Sequence, residues 1–178
     1  VKNILKSEDV FHTINAFKEM GVSIKEQNDY IQIIGKGLGS LRKPNKDLYM
    51  GNSGTSARLL TGLLSSQKFD SKLTGDSSLS SRPMKRISEP LSKMNAEIHT
   101  TDGSMPLTIL GKELNNTTID IKIPSAQIKS GIILAALNTS GITKIIENNI
   151  TRDHTEIMLE SFDANITTSK DGNKKIIV

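Results

Sequence analysis

The apolar positions fall into three kinds of pattern along the chain. Val10, Ile14 and Phe17 recur at helical spacing, as do Met84, Ile87, Leu91 and Met94. A stripe at i, i+3/i+4 and i+7 predicts amphipathic helices with one buried face. Residues 30–36 and 106–112 are short apolar or alternating runs rich in Ile, Leu and Thr, which predicts strands. Two longer stretches, 53–66 and 125–139, are small or aliphatic nearly all round. A helix of that kind has no solvent face and is expected to be buried on every side.

The patterns repeat. Residues 19–24 (EMGVSI) resemble 93–98 (KMNAEI) and, more weakly, 161–166 (SFDANI), at offsets of 74 and then 68 residues. Gly21, Asn95 and Asp163 fall where a helix C-terminus needs a residue tolerant of left-handed geometry. The strand segments 30–36 and 106–112 are offset by 76, with 174–178 as a truncated third copy. Each unit reads as strand, buried helix, strand, amphipathic helix, then two strands, and repeats of this length bury their faces against one another. The expectation is one α/β domain over 1–178, about two and a half units, with approximate bounds 1–48, 49–116 and 117–178. The first unit's buried helix would lie upstream of Val1. Pro90 predicts a kink or a late start in the second amphipathic helix. The chain opens Val1-Lys2-Asn3 without Met and closes on Ile176-Ile177-Val178, so both ends are expected to be cut from something longer.

Composition narrows the chemistry. The 178 residues include no cysteine, which excludes disulfides, thiolate metal sites and cysteine nucleophiles. Three separated histidines, His12, His99 and His154, argue against a histidine metal cluster. With four Phe, two Tyr and no Trp, aliphatic side chains must build the core. The longest apolar run, 132–137, is far short of a bilayer span. No signal peptide is visible, and a cytoplasmic location is expected. The net charge of +4 is carried by 18 Lys and only five Arg. Scattered Lys forms a solvated face, whereas the Arg fork binds carboxylate and phosphate bidentately. A small anionic ligand fits this balance; nucleic acid fits poorly, because there is no basic cluster and few rings for stacking.

Four loop-to-helix junctions carry the candidate chemistry. Gly51-Asn52-Ser53-Gly54-Thr55-Ser56-Ala57-Arg58 opens the first buried helix; it reads equally as a capped tight turn and as an anion cradle. It lacks the Gly-Lys-Ser/Thr ending of a Walker loop. Ile123-Pro124-Ser125-Ala126-Gln127-Ile128-Lys129-Ser130 opens the second, with Ser125 a natural N-cap, while Gln127 and Lys129 ask for partners in so apolar a helix. Residues 74–84 form a polar loop in which Arg82 precedes a helix start, where the dipole favours anions. Thr151-Arg152-Asp153-His154-Thr155-Glu156 repeats that arrangement, with Asp153 and Glu156 spaced as a capping box and Arg152 left unexplained by it. In a repeated fold equivalent junctions lie at one end of the sheets, so that end is a candidate pocket for a multiply anionic small molecule.

At these residues the sequence resembles the enolpyruvylshikimate phosphate synthase family (3-phosphoshikimate 1-carboxyvinyltransferases). The matching segments are Gly51-Asn52-Ser53-Gly54-Thr55, Leu73-Thr74-Gly75-Asp76 through Arg82-Pro83-Met84, 124–130 and 151–156. The resemblance implies an inside-out α/β architecture of repeated βαβαββ units with buried parallel helices. It implies transfer of the enolpyruvyl group of phosphoenolpyruvate to shikimate 3-phosphate in aromatic amino acid biosynthesis, with no metal or organic cofactor. By motif match, Ser125, Ala126 (backbone), Gln127 and Arg152 would hold shikimate 3-phosphate. Gly54 (backbone), Arg82 and Gln127 would contact phosphoenolpyruvate, and Asn52 and Thr55 would shape the pocket. The family's catalytic groups are expected in an upstream Lys-Ser…Arg segment and a second domain, so this chain is expected to be an inactive substrate-binding half with the second domain as partner. Some family members carry Pro where this chain has Leu59, which leaves glyphosate sensitivity open. Arg42 and Arg86 read as surface residues, and Arg58 carries no assignment. The rival readings are the sister transferase acting on UDP-N-acetylglucosamine, whose usual loop cysteine has no counterpart here, and an RNA-binding module like that of RNA 3′-phosphate cyclases.

Overall fold

Three blocks of secondary structure follow one another in the computed structural model, which describes residues 1–28 and 30–178. The first is helix α1 (Glu8–Glu19) followed by the antiparallel hairpin β1 (Ser23–Glu26) and β2 (Ile31–Ile34). The second runs β3 (Leu48–Tyr49), α2 (Gly54–Ser65), β4 (Ser71–Thr74), the one-turn α3 (Ser77–Ser80), α4 (Lys85–Ser92), β5 (Glu97–Thr101) and β6 (Ser104–Leu110). The third runs β7 (Thr118–Ile121), α5 (Ala126–Ala136), β8 (Lys144–Glu147), α6 (His154–Ser161), β9 (Thr168–Asp171) and β10 (Lys174–Ile177). The two four-stranded sheets have the same order, β3-β4-β6-β5 and β7-β8-β10-β9. In each, the helix-connected first pair is parallel and the other pairs are antiparallel. The expected βαβαββ unit is therefore present twice. The addition is α3, which occupies the stretch read as an open polar loop because Asp76 accepts from the Leu79 N–H and caps a turn there.

Helices α1, α4 and α6 end alike, although α6 is not the amphipathic helix expected: it buries Glu156 and leaves Ile157 and Met158 exposed. Gly21, Asn95 and Asp163 all have positive φ, at 86°, 69° and 56°. The following residue donates back across the turn each time: Val22 to Phe17, Ala96 to Leu91 and Ala164 to Leu159. This six-to-one bond satisfies a carbonyl that the helix end would otherwise orphan. Pro90 lies inside α4, which starts late, after Arg82-Pro83-Met84.

Helices α2 and α5 lie against each other in the interior, as their all-round apolar character requires. Their backbones touch at glycines: a Cβ on Gly62 would sit 1.8 Å from the Gly131 carbonyl oxygen, and one on Gly131 would sit 2.8 Å from the Arg58 carbonyl oxygen. Leu60 and Leu64 of α2 join Leu73, Leu107 and Ile109 in one core. Ile132 and Ile133 of α5 join Ile119, Ile145 and Ile177 in the other. Helix α4 belongs to the second unit by sequence, yet Ile87, Leu91 and Met94 pack into the core around α5. Each such side chain contributes about 1.5–3 kcal/mol of burial, so the two units share one interior. Between α1, the hairpin and α2 an apolar groove of about 720 Å³ is open. No helix of the described residues is long and apolar enough to cross a membrane.

Candidate anion-binding site

The shared geometry places the N-termini of α2, α5 and α6 around one cavity of about 240 Å³, lined by Thr55, Leu59, Ala126, Gln127, Ser130, Arg152, His154 and Thr155. Both buried helices start on a serine. Ser53 accepts from the Ser56 N–H at 3.2 Å, and Ser125 from the Ile128 N–H at 3.4 Å. The Ser125 hydroxyl is thus engaged as a cap, and the residue does not line the cavity, whereas Ala126 and Gln127 do.

Gln127 finds its partners across the helix pair. Its Nε2 donates to Thr55 Oγ1 at 2.8 Å, and its Oε1 accepts from Arg58 Nη1 at 2.9 Å. Arg58 also donates to the Gly54 carbonyl at 3.2 Å. On the other side of Gly54, Arg82 donates to Asn52 Oδ1 and to Ser78 Oγ, while Asn52 donates to Asp76 at 2.8 Å. A Cβ on Gly54 would lie 2.8 Å from Arg58 Nη1 and 3.1 Å from Arg82 Nη1. Two guanidinium groups therefore close over Gly54, and a side chain there would have to push their tips aside. The Gly54 N–H itself donates to the Asn52 carbonyl at 3.0 Å.

The electrostatics favour an anion. Burial, then the charges of Arg82 and Arg86, push the Arg58 guanidinium below its ordinary value; it stays protonated at neutral pH. Asp76 is the counterweight, its carboxyl held below the usual range first by the Leu79 N–H and then by Asn52. None of the arginines forms an ion pair among the described residues: every pair there uses Lys or His. Arg42 and Arg86 are exposed, as expected. Arg58 is the residue that sequence reading missed, because its place depends on Gln127, 69 positions away. Arg82 is better placed than its position before α4 suggested, since it also follows the C-terminal end of α3, where a cation is favoured.

Lys129 also has partners. It is fully buried, with Nζ 2.9 Å from Glu147 Oε2, 2.8 Å from Glu156 Oε1 and 2.9 Å from the Arg152 carbonyl oxygen. The capping-box reading of Asp153 and Glu156 fails here. Asp153 makes no side-chain cap bond at α6, and Glu156 is drawn inward between Lys129 and Lys175, the latter 3.2 Å away. These are charge contacts without aligned hydrogen bonds, and Glu156 Oε2 has no hydrogen-bond partner among the described residues.

Comparison with known proteins supplies the family. A family model described as EPSP synthase (3-phosphoshikimate 1-carboxyvinyltransferase) matches residues 1–178. The chain belongs to the EPSP synthase family. It is 53% identical over 180 residues to the 3-phosphoshikimate 1-carboxyvinyltransferase of Magnetococcus marinus, covering 99% of this chain and 40% of that protein. The enzyme of the same name from Limosilactobacillus fermentum is 42% identical, covering 97% and 40%. Among solved structures, EPSP synthase from Acinetobacter baumannii superposes with a TM-score of 0.91 at 48% identity, covering 99% of this chain and 40% of that one. The chain thus spans about 40% of the length of these EPSP synthase relatives, and the α/β repeat is the architecture it shares with them.

Proposed function

We propose that this chain is the substrate-binding portion of a 3-phosphoshikimate 1-carboxyvinyltransferase. Its site holds shikimate 3-phosphate against Ser125, Ala126, Gln127 and Arg152, and phosphoenolpyruvate against Gly54, Arg82 and Gln127. Asn52 and Thr55 shape the pocket, and Arg58 joins the phosphoenolpyruvate side. The observation that carries this reading is the set of arginines without carboxylate partners: Arg58 and Arg82 flank Gly54, and Arg152 lines the adjoining cavity. Charge-assisted bonds from a guanidinium to a phosphate or carboxylate are the strong ones, and an anion between two neighbouring cations relieves their repulsion.

In the reaction the 5-hydroxyl of shikimate 3-phosphate gives up its proton to a base as its oxygen adds to C2 of phosphoenolpyruvate, and C3 gains a proton from an acid. Loss of a C3 proton from the tetrahedral intermediate then expels phosphate. This chain's residues bind and orient the two anions; the groups that move the protons are assigned to the part of the relatives' length that this chain does not span.

Calorimetric titration of the chain with shikimate 3-phosphate tests the reading. Saturable binding is expected, weakened by about 10-fold or more in Arg152→Ala, in line with one charge-assisted bond. The reading is overturned by no heat at millimolar ligand, by preference for UDP-N-acetylglucosamine, or by RNA binding with a steep salt slope. Steady-state product formation by the chain would overturn its assignment as a binding half.

A further inference from the structure

The buried charge cluster around Lys129 reaches three consecutive residues of the loop before α6. Glu147, the last residue of β8, accepts from the Thr151 hydroxyl at 2.5 Å and from the Thr151 N–H at 3.3 Å. Lys129 donates to the Arg152 carbonyl at 2.9 Å. Lys175 of β10 lies 3.5 Å from the Asp153 carboxylate, and after that group's own backbone N–H it is the main cause of the low Asp153 pKa. Residues 151, 152 and 153 are each tied down by a buried charge, and the middle one lends its side chain to the cavity.

Stability alone does not account for this arrangement. Apolar residues of similar volume serve a core as well as, or better than, a buried ion cluster. They would not supply a donor for the Arg152 carbonyl or an acceptor for Thr151. The Arg152 guanidinium makes no ion pair among the described residues, so what the fold holds of this residue is its backbone. We propose that Lys129 and Glu147 are positioning residues: they fix the backbone of 151–153 so that Arg152 meets an anionic ligand already in place. An unanchored loop would have to be ordered at the moment of binding, which lowers affinity. This proposal rests on the reading that the cavity takes shikimate 3-phosphate.

Thr151→Val is the mildest probe, removing one hydroxyl from a half-buried residue while keeping its shape. NMR shift titration with shikimate 3-phosphate is expected to show binding weakened about 3- to 10-fold in Thr151→Val, yet essentially unchanged by the same substitution in an Arg152→Ala background, because the effect travels through Arg152. Equal weakening in both backgrounds, or none in the first, overturns the proposal. Amide exchange gives a readout independent of any ligand: exchange at Thr151, whose N–H donates to Glu147, is expected to quicken about 10-fold or more in Thr151→Val and in Glu147→Gln. Unchanged exchange overturns the anchoring even if binding falls. A parent chain that binds no shikimate 3-phosphate but shows the faster exchange in both variants would refute the substrate assignment alone.

Discussion

Replacing Gly62 by alanine tests whether the crossing of the two buried helices sets the width of the site. A Cβ there meets the Gly131 carbonyl oxygen at 1.8 Å, and the carbonyl carbon at 2.5 Å. Both are backbone atoms of another helix, so no side chain can swing aside. Relief requires α2 and α5 to part by about 1 Å, an overpacking that costs about 1–3 kcal/mol or more. Alanine recovers up to about 1 kcal/mol of helix propensity. The net expectation is a loss of about 2 kcal/mol, or roughly 4–8 °C in melting temperature for a chain of this size. The same displacement lengthens the 2.8 Å Gln127–Thr55 bond across the crossing, so affinity for shikimate 3-phosphate falls with stability. Scanning calorimetry of Gly62→Ala beside Gly35→Ala measures both; Gly35 has nothing within 4 Å of its Cβ position, and its variant is expected to stay within about 0.5 kcal/mol of the parent. A Gly62→Ala protein that melts with the parent would refute the close backbone contact and the spacing argument built on it.

Lys129→Met leaves Glu147 buried without its cation and Glu156 with Lys175 alone; urea titration is expected to show about 3–5 kcal/mol of lost stability. Asp76 has a depressed folded-state pKa, so its stabilisation is complete above the ordinary value of 3.8 and disappears as pH falls through the lower folded value. Urea midpoints measured across that window should fall more steeply in the parent than in Asp76→Asn; parallel curves would contradict the capping role at α3.

The helix ends were the most readable part of this sequence. Gly21 and Asn95 follow apolar stripes of the right period, and Ser53 and Ser125 precede runs with no polar face; these signals are local and need no tertiary context. Asp163 was legible only through its likeness to them, because α6 buries Glu156 and exposes Ile157 and Met158. Helix α3 was less legible, because three serines around a single Leu79 form a turn only once Asp76 caps it. Its cue was present in the spacing of Asp76 and Leu79. The partners of Gln127 and Lys129 were legible as a need, not as an identity. A buried amide or ammonium must be satisfied, but Thr55, Arg58, Glu147 and Glu156 come from other elements. The same reason defeated the capping box: at Glu156 two buried cations outcompete a local backbone N–H.

The helix crossing also bears on how the chain folds. Thr55 and Gln127 are 72 positions apart, and holding the ends of such a loop together costs about 4 kcal/mol of chain entropy, before any constant for closure. Neither sheet can shelter its own helix fully until the other unit arrives, since α2 and α5 are each other's cover and α4 is lent to the neighbour's core. The topology therefore dictates slow, late-committing assembly, in which most of the non-local contacts form together. A nascent second unit would wait on the ribosome with its apolar helix uncovered, and such a species is prone to aggregation.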